Sequence, residues 1–169
     1  MRRYIYFVFL LCCAVNLLLT SCVRQKYVVM DMVHHNPGEA MTESKFLDPS
    51  FLKKNEYGAK VFFLFEAAQF GIDWKSFDPS LFPDTTEAGR WVAEKAEIIH
   101  KKYDAAKKED LQVYCMLDML VLPSLLVEKH RTELTNEQGK LDISKPYTQL
   151  CIRELMKEMF ETFPQLDGL

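Results

Sequence analysis

The stretch Lys60-Val61-Phe62-Phe63-Leu64-Phe65 decides the fold. It is a continuous β-branched and aromatic run, which predicts a strand covered on both faces. Residues 111–117, with Val113, Tyr114, Cys115 and Met116, form a second such run. Leu166-Asp167-Gly168-Leu169 reads as the opening of a third, because it follows a predicted helix and the helix-ending Pro164.

Helical periods fill the intervals. Asp84, with Glu87 three residues on, predicts a capping-box-like start, and Ala88, Trp91, Val92, Ile99 and Ala106 then recur at helical spacing as far as Lys108. Residues 123–130 predict a short helix. Ser144 is expected to cap a longer one, with Pro146 in its first turn and Ile152, Leu155, Met156, Met159 and Phe160 as the buried stripe.

Strand, helix, strand, helix, strand calls for parallel strands joined by right-handed crossovers. The segments running from helix to strand, residues 109–110 and 164–165, are short, whereas those leaving the strands, residues 66–83 and 118–145, are long. Function is therefore expected at the carboxyl ends of the strands. The strand starts near Val61, Leu111 and Leu166 lie about fifty residues apart, which suits a large (β/α)8 barrel with loop insertions better than a compact doubly wound sheet. No Gly-x-Gly-x-x-Gly or Walker-type loop follows the first strand, where the chain reads Glu66-Ala67-Ala68-Gln69-Phe70-Gly71, and this argues against nucleotide binding.

The expected fold class is thus α/β: a partial (β/α)8 TIM barrel over residues 58–169, comprising the first two βα units and the start of the third strand. Three parallel strands and two major helices would leave strand edges and an apolar face uncovered. The chain is accordingly expected to be the N-terminal part of a longer protein, inactive as it stands.

The N-terminal residues have the three parts of an export signal: Arg2 and Arg3, an apolar run over residues 4–19, and the small or polar Thr20 and Ser21. The run falls short of the roughly 20 residues needed to span a bilayer, and Asn16 interrupts it, so a permanent transmembrane anchor is the weaker reading. Leu19-Thr20-Ser21-Cys22 resembles the lipobox of bacterial lipoproteins. That resemblance implies a signal peptide over residues 1–21, lipidation of Cys22, and a lipidated tether with an irregular lead-in over residues 22–57. Two or three acyl chains would exceed the one-chain threshold for marginal membrane binding. By resemblance to Gram-negative sorting rules, Val23 in place of an aspartate implies the outer membrane of the cell envelope.

Loss of Arg2 and Arg3 with the signal takes Lys+Arg from 21 to 19 against 24 Asp+Glu, moving the net charge from −3 to about −5. The signs are mixed along the chain without a basic stripe, so no nucleic-acid partner is expected. Cys12 and Cys13 would leave with the signal, and with Cys22 lipidated, Cys115 and Cys151 are expected as buried free thiols. No Cys or His spacing suggests a metal site, and no cofactor signal is present.

Three segments carry a further resemblance: His34-His35-Asn36-Pro37-Gly38-Glu39, the strand end from Phe62 through Glu66 and Gln69 to Phe70, and Leu117-Asp118-Met119-Leu120-Val121-Leu122-Pro123. Together they resemble the opening of glycoside-hydrolase-like TIM-barrel lipoproteins of gut Gram-negative bacteria, over nearly the whole mature chain. The resemblance implies a carbohydrate (glycan) partner and a barrel continuing beyond Leu169, with the catalytic carboxylates on later strands. The alternative is a non-catalytic lipoprotein that binds a glycan or a partner protein.

Glu66 and Asp118 each end a predicted strand and would point toward one mouth. They either accept hydrogen bonds from sugar hydroxyls, with Gln69 beside them, or cap loop amides and pair with basic side chains. Phe70, Trp74, Phe77 and Phe82 punctuate the long loop after the first strand, with Asp73 and Asp78 between them. Trp74 is the candidate stacking platform for a pyranose, against the plainer role of pinning the loop to its scaffold. His35 and Glu39 are candidate lining residues should the lead-in fold over the mouth. Adjacent histidines point in different directions in extended chain, so His34 and His35 are not expected to share a metal.

Overall fold

The computed structural model describes residues 30–31, 47–63 and 66–169. The signal segment, Cys22, His34, His35 and Glu39 lie outside the described residues. Three parallel strands form one sheet: β1 (Met30–Asp31), β2 (Ala59–Phe62) and β3 (Gln112–Cys115), in that spatial order. Met30 pairs with Ala59 and Asp31 with Lys60, while Lys60 pairs with Val113 and Phe62 with Cys115. On the far side of β3, Tyr114 bridges to Gly168 in parallel, and the Asp167 N–H donates to the Val113 carbonyl at 2.8 Å. Spatial order thus follows chain order through four successive parallel segments.

β1 was not anticipated within the lead-in, and neither was α1 (Pro49–Lys54), whose first amides are capped by the Asp48 carboxylate. The first strand is shorter than its apolar run. It ends at Phe62, and the Glu66 N–H turns back onto the Phe63 carbonyl at 2.7 Å. β3 likewise keeps only the centre of residues 111–117.

The long helix α2 (Glu87–Lys108) starts two residues later than the acidic pair suggested. Its cap is Thr86, whose hydroxyl accepts from the Gly89 N–H at 3.0 Å, while Asp84 instead pairs with Lys75 at 2.9 Å. Glu87 in the first turn and Lys107 and Lys108 in the last complement the helix dipole. The buried face is Gly89, Val92, Ile99, Tyr103 and Ala106; Ala88 and Trp91, expected in that stripe, are exposed. Neighbouring helical residues lie about 100° apart. Val92 therefore takes the centre of the face and turns Trp91 outward.

After β3 come α3 (Ser124–Lys129), α4 (Arg131–Leu134) and α5 (Pro146–Thr162). Pro146 occupies the first turn of α5 as expected, but Ser144 does not cap it: its N–H and hydroxyl both bond to Asp142 Oδ1, at 2.9 and 2.7 Å. The buried face of α5 is Thr148, Cys151, Leu155, Glu158 and Met159, and Phe160 lies outside it. A carboxylate was not expected there. It is tolerated because the Ser76 hydroxyl donates to Glu158 Oε1.

Helices cover one face of the sheet. Phe62 of β2 packs on Tyr103 of α2 with centroids 4.7 Å apart, and Phe163 at the end of α5 meets both Tyr103 (5.7 Å) and His100 (4.7 Å). Side chains alternate along a strand, so Lys60, Phe62, Val113 and Cys115 look toward the helices, while Val61, Gln112, Tyr114 and Met116 look the other way. On that second face Val61 and Tyr114 are half-buried, and Gln112 and Met116 are exposed. Cys115 and Cys151 are both buried and free. Burial pushes both thiols up, Cys151 to about 11. Among the described residues, no helix is long and apolar enough to cross a membrane.

Candidate functional site at the carboxyl ends of the strands

The two long excursions that leave β2 and β3 lie against each other. Gln69 sits in a 3-10 turn (Ala68–Gly71) just past β2, and its side-chain Oε1 accepts the Asp118 N–H, beyond β3, at 3.1 Å. Farther out, the Lys129 ammonium on α3 reaches Asp78 on the first excursion at 2.5 Å. Phe77 also packs on Tyr147 of α5 at 6.1 Å, and Tyr147 on His130 at 4.6 Å. The mouth therefore consists of loops tied by side chains rather than by sheet.

Glu66 and Asp118 are both engaged, and separately. The Glu66 carboxylate pairs with Lys102 on α2, on the helix side of the sheet. Together with Lys60, Phe62 and Pro49 it lines a cavity of about 260 Å³ there. Asp118 Oδ1 accepts the N–H of Leu120 at 3.1 Å, a local loop cap. Among the described residues of the expected site, Gln69 is joined to Asp118 by a hydrogen bond and shares a cavity wall with Trp74, and Glu66 stands apart from both.

Trp74 does not present a stacking face, because it is only 2% exposed. Its backbone turns through the left-handed region at φ 59°, which drives the indole inward to meet Phe77 edge-on at 6.0 Å. The exposed indole at this end is Trp91 on α2, 53% exposed. Gln69, Phe70, Trp74, Phe82, Trp91 and Val121 are among the walls of an apolar cavity of about 140 Å³ between the two excursions and α2. Gln69 and the loop aromatics Phe70, Trp74 and Phe82 were candidates from the sequence, whereas Trp91 was expected in the buried stripe of α2; the signal it gave was its place beside Val92, since the two cannot both be central on a helical face. Among the described residues, no group of three or more His, Cys, Asp or Glu could hold a metal ion.

Lys129, with the hydroxyl and amide of Ser80, holds the Asp78 carboxyl down to about 2. A folded value below the ordinary Asp value of about 3.9 means that this contribution is complete above about pH 4 and lost as the pH falls toward 2. Asp78→Asn should therefore flatten the fall in melting temperature between about pH 4 and 2. An unchanged acid profile would show that the Lys129 link is not formed in solution.

Comparison of the chain with protein-family models, with curated proteins and with solved structures gives no match.

Proposed function

We propose that the protein is a lipid-anchored (β/α)-barrel protein of the cell envelope that acts on a glycan, held on the outer membrane through Cys22. One observation supports the barrel best: four parallel segments follow one another in chain order, with helices on one face and Val61, Tyr114 and Met116 incompletely covered on the other. A doubly wound sheet reverses strand order, whereas a barrel adds each strand beside the last. The long loops gathered at the carboxyl ends lie where such a barrel binds its ligand. The lipobox and the glycoside-hydrolase-like segments supply the anchor and the glycan.

The second reading, a non-catalytic binding lipoprotein, is favoured by the engagement of both candidate carboxylates, Glu66 by Lys102 and Asp118 by a loop amide. A glycosidase needs two carboxyls flanking the bond, one of them able to give a proton.

Two measurements on the full chain, expressed in a Gram-negative host, test the proposal. Labelled palmitate should enter the wild type and sediment with membranes, and Cys22→Ala should lose both label and sedimentation. An unlabelled wild type removes the anchor. The detergent-solubilised lipoprotein should be retarded in native gels containing its polysaccharide. Retardation with release of reducing ends supports the enzyme, retardation alone supports the binding module, and free migration through every polysaccharide in a broad panel removes the glycan.

A further inference from the structure

We infer that the amino-end face of the sheet rests on anionic headgroups of the membrane that holds Cys22, so that the mouth at the carboxyl ends faces away from that membrane. The inference rests on the lipid anchor proposed above and adds its geometry. Seven residues, 23–29, separate Cys22 from Met30, the first residue of β1. β1 runs parallel to β2, and Met30 pairs with Ala59, the first residue of that strand, so the tether joins the sheet at its amino end. Fully drawn out, the tether spans no more than about 29 Å.

The mouth lies at the limit of that reach. Phe62, three residues along β2 from Ala59, stands about 10 Å from the amino end and packs on Tyr103. α2 runs back against the strands, and Trp91, twelve residues before Tyr103, stands about 18 Å beyond it. The wall that Trp91 forms is thus about 28 Å from the level of Met30. Only a tether pulled straight, with its conformational entropy given up, would let that wall touch the membrane. The amino end needs no stretching, and its chemistry suits anionic headgroups. α1 ends in Lys53 and Lys54, and α2 in Lys107 and Lys108. Asp110 takes up Lys53 at 2.9 Å and Asp167 takes up Lys107, while Lys54 and Lys108 are exposed and make no ion pair among the described residues. Arg24 and Lys26 of the tether add to them, against Glu56 and Glu109.

Cys115 and Cys151 are buried, so an introduced cysteine is the thiol that a bimane label reaches. The lipoprotein is inserted into preformed vesicles of phosphatidylcholine and phosphatidylglycerol that carry a headgroup spin label. Bimane at Glu109→Cys, on the amino end, should lose most of its fluorescence, and bimane at Thr85→Cys, just before α2, should lose little. Equal loss, or the greater loss at Thr85→Cys, overturns the orientation. Lys54→Glu with Lys108→Glu should narrow the contrast, and a contrast left unchanged overturns the headgroup contact. On phosphatidylcholine alone the contrast should survive with the natural tether and vanish with a long Gly-Ser insert after Gln25. A contrast that outlasts the insert overturns the tether as its cause. Flotation keeps the anchor and the orientation apart: wild type and labelled variants should float with the vesicles and Cys22→Ala should not, and a wild type left behind removes the anchor and this orientation with it.

Discussion

Trp74→Ala is expected to destabilise the protein by about 3–5 kcal/mol, the range for emptying a fully buried aromatic site. The indole is 2% exposed and sits where the excursion after β2 is fastened to α5. Carbonyl Trp74 O accepts from the N–H groups of Phe77 (3.0 Å) and Asp78 (2.7 Å), and the Ser76 hydroxyl bonds to Glu158 on α5. Glu158 is 5% exposed, and burial pushes its carboxyl above the ordinary value, so the loop that satisfies it is held in turn by the ring beside it. With φ at 59°, the backbone at position 74 is held in the left-handed region by packing, and alanine keeps that strain while losing the packing. Trp91→Ala is the control. At 53% exposure, with part of its ring packed on the apolar cavity, it should cost clearly less than Trp74→Ala. Equilibrium denaturation of both variants decides the matter, and equal losses would mean that the two indoles have been assigned to the wrong sides of the surface.

The contrast between these indoles also marks how far sequence reading carries. The strands and the two long helices were legible because apolar runs and helical periods are local, and Pro146 fixed the start of α5 by the geometry of its own ring. Rotation of the helices was not legible. For α2 the apolar residues Ala88 and Trp91 fit the period as well as Gly89 and Tyr103 do, and only the sheet beneath selects the face that holds Tyr103 against Phe62. For α5 a hydrophobic stripe through Phe160 was the natural reading, and Glu158 could enter the interior only because Ser76, distant in the chain, was there to bond it. Strand β1 was hidden for another reason. Its apolar signal, Val28-Val29-Met30, is interrupted at once by Asp31 and sits in a segment rich in turn residues.

The meeting place of the two excursions, the candidate site, was legible in position and not in composition. Uneven connection lengths placed it at the carboxyl ends of the strands, where the excursions do meet. Carboxylates were then ranked by type, and type does not say which way a side chain turns. Lys102 lies thirty-six residues beyond Glu66 and claims it, while Asp118 is consumed by its own loop. Gln69, the least distinctive candidate, is the one that joins the two excursions. Its neighbours Phe82 and Val121 line the cavity because of where loops cross, and no short-range pattern encodes a crossing.

Gly89→Ala should reverse the usual sign of a glycine substitution in a helix. In an unobstructed helix the change stabilises by about 1 kcal/mol. Here a Cβ at position 89 would stand 2.1 Å from the Pro83 carbonyl oxygen and 2.7 Å from its carbon. That obstacle is backbone and cannot rotate away. The same carbonyl accepts both the N–H of Thr86 (2.9 Å) and its hydroxyl (2.7 Å), so displacing it breaks the turn that sets the cap of α2. Overpacking against a rigid neighbour costs about 1–3 kcal/mol or more, and loss of a Thr cap adds about 1 kcal/mol. Set against the gain of about 1 kcal/mol in helix propensity, a net loss of about 1–3 kcal/mol follows, or roughly 2–12 °C in melting temperature for a chain of this length. Phe82 precedes the displaced proline and lines the aromatic cavity, so the indole signals of Trp74 and Trp91 should shift in the same variant. A stabilised Gly89→Ala protein with an undisturbed indole spectrum would mean that the excursion after β2 does not fold back onto the first turn of α2, and the cavity between them would lose one of its walls.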